Sequence, residues 1–392
     1  MEISKQKVVI IGHGYTSRLA VIRSVAQIGC EVTVIVMTSY KRDGRTLNTK
    51  KPIDCYSKYV SHVHYCYAKD EEGLMQLLLT KCSDPQQKVV IIPDSDFSAA
   101  AIDRNQERLK EHFLFPHIHH TPGAVIEWMD KVRQKQLARE IGLNVASSCV
   151  IDIKERKYVI PSEVSYPCFT KPLATVNGGG KRIFRRCNNE AELRNALDLA
   201  ASIADMQVLV EDFKKIDTEY AVVGFSDGKE VVIPGIIQIL EMAHDGHFGV
   251  ACQGKVMPVN SFEDIIEQFK LFVRKIGFMG VFDVDFFQSD GKMYFGELNL
   301  RFGGSGYAIT KMGVNLPGML VKSLYQEDIS DMNKVVTSSA VYVNERMCID
   351  DWLSGYISHA EYNNFVESAS FSNDKKITWY DLYSLRVFVS TL

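Results

Sequence analysis

The chain has 392 residues, 46% of them hydrophobic and 24% charged, with a formal net charge of −3. That length suits two or three lobes rather than one core, and the composition excludes long disorder. The charge gives no reason to expect nucleic acid or an anionic membrane as partner, and no apolar run is long enough for a membrane span. Nine cysteines, scattered without CxxC or Cys/His zinc spacing, read as reduced thiols. The start enters a strand too early for a signal peptide, so the sequence points to the cytoplasm.

Val8 to Ile11 predict a strand, followed by Gly12-His13-Gly14 and a helical pattern through Leu19, Val21, Ile22 and Val25. Gly29 ends that helix and Val32 to Val36 supply the next strand, giving a βαβ unit. Val89 to Ile92, ending at Pro93-Asp94, continues an α/β lobe with a parallel sheet over residues 1–121. Gly12-His13-Gly14-Tyr15-Thr16-Ser17 resembles a dinucleotide fingerprint, but Val36-Met37-Thr38 ends the second strand with no acid for a ribose. A tight turn near a substrate is the better reading.

A helix is expected from Asp130 to Ile141, closed by Gly142, and a new strand from Cys168 to Lys171. Phe169-Thr170-Lys171-Pro172 leads to Asn177-Gly178-Gly179-Gly180-Lys181. Consecutive glycines let backbone N–H groups close over phosphates, with Lys171 as a point charge beneath them; a flexible hairpin tip is the plainer alternative. This is not a Walker A loop, because no Ser or Thr follows the glycine–lysine pair. Val208 to Phe213 form a strand ending in Glu211 and Asp212, with Glu219 further on. An apolar strand edge suits an adenine ring and a carboxylate accepts ribose hydroxyls, although a solvated strand end would look alike.

Phe282 to Phe287 alternate apolar and acidic residues, and Met293 to Leu300 form a second strand carrying Glu297 and Asn299. A three-residue loop at Ser289-Asp290-Gly291 would pair Asp285 with Phe295 and put Glu297, Asn299 and Arg301 on the same face. A two-residue loop would turn Glu297 to the opposite face. Asp285, Glu297 and Asn299 are hard oxygen donors of the kind magnesium takes, and Arg301 would neutralise a transferring phosphoryl group. An ordinary solvated hairpin face is the alternative.

Taken in order, these pieces resemble the ATP-grasp superfamily over roughly Pro122 to Leu320, closest to its carbamoyl-phosphate-synthase-like and biotin-carboxylase-like members. The resemblance implies a Rossmann-like pre-ATP-grasp N-terminal domain of residues 1–121, α/β in class. A two-lobed α+β ATP-grasp domain of residues 122–325 would follow, with its glycine-rich lid lobe at about 150–215. Residues 326–392 would be a C-terminal extension packing on that domain; a homodimer contact is its other possible role. The resemblance implies ATP and Mg2+, with two ions, as cofactors; Mn2+ is the alternative metal. It assigns Lys131, Lys171, Asn177, Gly178, Gly179, Gly180, Glu211, Asp212, Phe213 and Glu219 to the nucleotide. Asp285, Glu297 and Asn299 would hold metal, with Arg301, Asn299 and Lys171 as catalytic groups.

The glycine-rich stretch Phe302 to Tyr307 resembles D-aspartate ligases and kindred amino-acid ligases, and suggests Gly304, Ser305 and Tyr307 toward substrate. His244 and His247, in the segment from Glu241 to His247, are candidates to touch substrate or assist amine deprotonation, with a plain polar loop as the alternative. The implied reaction is formation of an amide or peptide bond from small-molecule carboxylate and amine substrates through an acyl phosphate. Another ATP-grasp chemistry, carboxylation or phosphorylation, and a non-catalytic nucleotide-binding module are the alternatives.

Overall fold

The computed structural model describes residues 5–13, 15–38, 51–154, 158–173, 183–203, 207–244 and 250–373. The chain divides into two compact units, one of Met1–Ile126, Ala221–Asp283 and Asn299–Leu392, the other of Glu127–Tyr220 and Val284–Leu298. Three strands, Thr218–Asp227, Phe278–Ser289 and Lys292–Asn299, run from one unit into the other.

The first unit opens with a five-stranded parallel sheet in the order Val60–Tyr67, Glu31–Thr38, Lys7–Gly12, Val89–Pro93, Phe113–Leu114. Both faces are covered, as parallel sheets require. Val8 and Ile10 point into a core shared with Val21, Ile22 and Val25 of the helix Tyr15–Gln27. Val9 and Ile11, one residue out of phase, face Leu74, Leu78 and Ile102 on the other side. The buried guanidinium of Arg18 locks the turn after the first strand. It pairs with Asp54 and donates to the Gly12 carbonyl at 2.9 Å.

The first core continues into the later segments of the same unit through Ala308, Ile309, Leu316 and Leu320. Polar contacts fix that packing: Ser24 and Thr310 share a hydrogen bond of 3.0 Å, and Asn315 donates to the Ser24 carbonyl at 2.7 Å. The helix Glu263–Ile276 buries Ile265, Ile266, Phe269, Phe272, Val273 and Ile276, a 3.6-residue stripe, and ends at Gly277 with φ of 66°. Beyond residue 335, where the sequence pattern fades, the strand Ala340–Val343 pairs antiparallel with Ala251–Met257. The helices Glu345–Leu353 and His359–Ser368 follow it.

The second unit holds a four-stranded antiparallel sheet in the order Ser148–Asp152, Gln207–Asp212, Cys168–Pro172, Arg185–Cys187. Helix Glu190–Ile203 covers one face, where Leu193, Leu197 and Ala200 meet Cys168, Val208 and Val210. No helix among the described residues is long and apolar enough to cross a membrane.

Candidate active site

In the second unit, the helix Lys131–Glu140 begins at Asp130, whose carboxylate accepts the Arg133 N–H at 2.9 Å. Lys131 and Lys135 are four residues apart and so share a face, and both are buried. Gln134 lies between them and grips the Leu298 backbone with its amide, accepting from the N–H at 2.9 Å and donating to the carbonyl at 2.8 Å. This clamp fixes the helix against the strand that carries Glu297, and Lys131 closes an ion pair with the Glu297 carboxylate.

Lys135 pairs with Glu211, whose other carboxylate oxygen lies 2.7 Å from Lys171. Burial would raise the Glu211 carboxyl, but Lys171 and Lys135 outweigh it and hold the group below the usual carboxylate range. Glu211 therefore spends its side chain on lysines. Asp212 accepts from the Ser165 hydroxyl at 2.5 Å, and the Phe213 ring lies under the Arg186 guanidinium at 4.3 Å. Burial, then the neighbouring charge of Asp285, push the Glu219 carboxyl above its ordinary value against the pull of Lys171. Lys171, Glu219 and Asp285 thus stand within electrostatic reach of one another.

The hairpin is tighter than the three-residue loop expected from its sequence. Ser289 and Lys292 both belong to strands, leaving Asp290-Gly291 as the turn, with φ of 49° and 72°. Two consecutive left-handed residues make a type I′ turn, for which Asp-Gly is a favoured pair. The register follows from it. Phe287 stacks on Tyr294 with centroids 5.5 Å apart, and a Cβ on Gly296 would lie 2.8 Å from the Asp285 carbonyl oxygen. Gly296, not Phe295, is the partner of Asp285; beyond it the outward-facing backbone groups shift from Phe295 to Leu298, so strict alternation does not carry through to Glu297. The two carboxylates have these neighbours: Glu219 is near Asp285, and Lys131 holds Glu297.

In the first unit, Arg301 donates to Asp96 at 2.8 Å and lies 3.4 Å from the Asn299 side-chain oxygen. Asp283 sits directly over Gly303, where a Cβ would fall 1.5 Å from its carboxylate oxygen, and Thr16 lies over Gly304. Asp94 occupies the same kind of position over Gly12, 1.2 Å from where a Cβ would be. Gly12 is needed to seat a carboxylate, and a pyrophosphate at that place would meet negative charge. The tight-turn reading of Gly12-His13-Gly14 is the one this geometry supports. Ser305 lies beside the buried Tyr342 hydroxyl, and Tyr307 lies in the core with Arg23 stacked 4.7 Å from its ring centre.

Asn177, Gly178, Gly179, Gly180 and His247 lie outside the described residues. His244 is held by Asp351, which accepts from its backbone N–H at 3.0 Å and lies 3.1 Å from its Nδ1. Sequence reading passed over Lys135, Gln134 and Asp96. The i, i+4 spacing from Lys131 was the signal available for Lys135; nothing local marks Gln134.

Residues 136–315 match the ATP-grasp domain family. The chain therefore carries an ATP-grasp domain, the module of the ATP-grasp superfamily. Members of this superfamily use ATP with Mg2+. Among curated relatives, the carbamoyl phosphate synthase large chain of Gemmatimonas aurantiaca is 24% identical over 216 residues, 54% of this chain and 20% of the relative. The chain thus spans about a fifth of that relative's length. In fold it resembles N5-carboxyaminoimidazole synthetase from Staphylococcus aureus complexed with ADP, with a TM-score of 0.65 and 17% identity over 92% of this chain and 87% of the other. L-amino acid ligase from Bacillus licheniformis is similar at a TM-score of 0.61 and 17% identity, over 86% of this chain and 79% of the other.

Proposed function

We propose that the protein is an ATP-dependent carboxylate–amine ligase that forms an amide or peptide bond and releases ADP and phosphate. One observation carries the reading: the second unit gathers the ammonium groups of Lys131, Lys135 and Lys171 around the carboxylates Glu211, Glu219, Asp285 and Glu297. Phosphoryl transfer needs this kind of positioned charge more than it needs a protein nucleophile.

The residues fit both groups the superfamily uses. The charge of Asp285 works against ionisation of Glu219, a conflict that a divalent cation relieves. Magnesium in such sites takes one or two carboxylates and fills its other positions with phosphate oxygens and water. We assign Asp285, Glu297 and Asn299 to Mg2+, with Asp285 the ligand its surroundings support most directly. When bound, the ion would supply charge neutralisation at the phosphates.

Lys131 and Lys171 would hold phosphate oxygens, Glu219 the ribose, and the backbone at Glu211 to Phe213 the adenine. The glycines at 178–180 would exclude water, which otherwise hydrolyses an acyl phosphate. Arg301, which Asp96 orients, is assigned to the transferring phosphoryl group, and Gly304 and Ser305 are assigned to substrate. The carboxylate is activated as an acyl phosphate, and the amine attacks it with loss of phosphate.

Carboxylation is the second reading, favoured by the fold likeness to N5-carboxyaminoimidazole synthetase along most of the chain. An ADP-release screen over paired amino acids, D-enantiomers included, with bicarbonate as a separate arm, separates the two. Release that requires a carboxylate and an amine together supports the ligase; release driven by bicarbonate with one amine supports carboxylation. No release in any arm sinks both.

A further inference from the structure

Glu211 takes two ammonium groups where one would neutralise it. Its side chain is 6% exposed and its oxygens go to different lysines, Lys135 and Lys171. The lysines differ in surroundings: the Lys135 side chain is 5% exposed and that of Lys171 27%. Only Lys171 can meet an external ion.

A purely structural cluster would brace the helix Lys131–Glu140 against the strand Gln207–Asp212. One lysine would suffice for that, and each further buried charge adds desolvation cost. Charge balance gives the second lysine a purpose. Without Lys135, Glu211 and Lys171 would form a neutral pair, with the Lys171 charge consumed inside the protein. With Lys135 present the three groups sum to one positive charge, carried by the member that reaches the surface.

The geometry points to Lys135 as a positioning residue that satisfies Glu211 from within, so that the Lys171 ammonium stays available to an external anion. On the reading proposed above, on which this inference rests, that anion is a nucleotide phosphate. Glu211 also sets the Lys171 ammonium by one oxygen at 2.7 Å while Lys135 fixes the other, so the carboxylate cannot turn to embrace Lys171 with both.

The test is calorimetric titration with Mg·ADP of the wild-type protein, Lys135→Met, Lys135→Arg and the double variant Lys135→Met/Glu211→Gln. Lys135→Met weakens binding about tenfold, the scale of one charge-assisted contact. Lys135→Arg, which keeps the charge, stays within about threefold of wild type. The double variant recovers most of the loss, because a neutral amide in place of the Glu211 carboxylate no longer consumes the Lys171 charge. A mere brace predicts the reverse, with the double variant as weak as the single one or weaker. Wild-type affinity in Lys135→Met, or no recovery in the double variant, overturns the inference. Should Lys135→Met fail to fold, Lys135→Gln, which keeps a donor toward Glu211 without charge, carries the same expectation. Absence of Mg·ADP binding by the wild-type protein would show before any substitution, and would remove the nucleotide reading and this inference together.

Discussion

Lys131 holds the Glu297 carboxylate in an ion pair whose lysine side chain is only 10% exposed. Glu297→Gln leaves that ammonium buried opposite a neutral amide. ADP release with any acceptor should fall at least about a hundredfold, the usual scale for losing a group that stabilises transition-state charge. The fold should survive with a lower melting temperature. Adding Lys131→Met should restore the melting temperature and leave turnover lost. An ADP-release assay beside a thermal melt reads both, and unchanged turnover in Glu297→Gln removes it as a metal ligand.

Lys171→Ala should raise the Kd for Mg·ATP about tenfold or more, since a lysine facing phosphate contributes a charge-assisted contact. Its partner Glu211 keeps Lys135, so the fold should tolerate the change. Titration with Mg·ATP is the measurement; wild-type affinity would end the phosphate role of Lys171.

Glu219 gives a pH-dependent expectation. Its folded-state carboxyl lies above the unfolded value, through burial and then Asp285, so the native state holds the proton to higher pH than the unfolded chain does. Stability therefore falls as pH rises from about 4.3, the ordinary glutamate value, through the raised folded value, and the deficit remains at neutral pH. Glu219→Gln should melt higher than wild type at pH 7 without metal, the gap closing as pH falls toward 4. The stabilisation that Mg·ATP gives the wild type should shrink in the variant. A gap that is absent at pH 7, or that widens on acidification, contradicts the assignment.

His117 carries the opposite sign. Burial, helped by His120 and His119, pushes its imidazole down to about 4, and its Nδ1 accepts the His120 N–H at 3.3 Å. The unfolded chain binds this proton near pH 6.5 and the folded chain does not until about 4. Stability is full above about 6.5 and is lost as pH falls through that interval, by up to about 3 kcal/mol. Denaturant titrations at pH 7 and pH 5 should show this loss, and His117→Asn should reduce it. An equal pH slope in the variant would place the acid sensitivity elsewhere.

The N-terminal parallel sheet and the helix at residue 131 were legible in the sequence because each announces itself locally. Short apolar runs end in turn glycines, and Asp130 stands at a helix start. The hairpin was legible as a hairpin, but its register was not. The choice between a two- and a three-residue turn rests on the backbone at Asp290, and Asp-Gly alone admits both. Glu211 could be picked out as a strand-end acid, yet its two lysines lie 76 and 40 residues upstream, beyond any local pattern. Gln134 is the clearest case. Its role comes from backbone atoms of Leu298, and backbone leaves no signature in the sequence of its partner. Tyr307 shows the converse: its place in a glycine-rich loop suggested substrate, but its ring is committed to the core.

The division of the chain has a practical consequence. The path crosses between the two units at four places, after Ile126, Tyr220, Asp283 and Leu298. No single cut releases either unit as one uninterrupted polypeptide, so truncation from either end cannot isolate the lysine-rich unit. Expressing it alone would require joining Tyr220 to Val284 through a new linker. Protease nicking at any one crossing should leave fragments that still belong to a common fold.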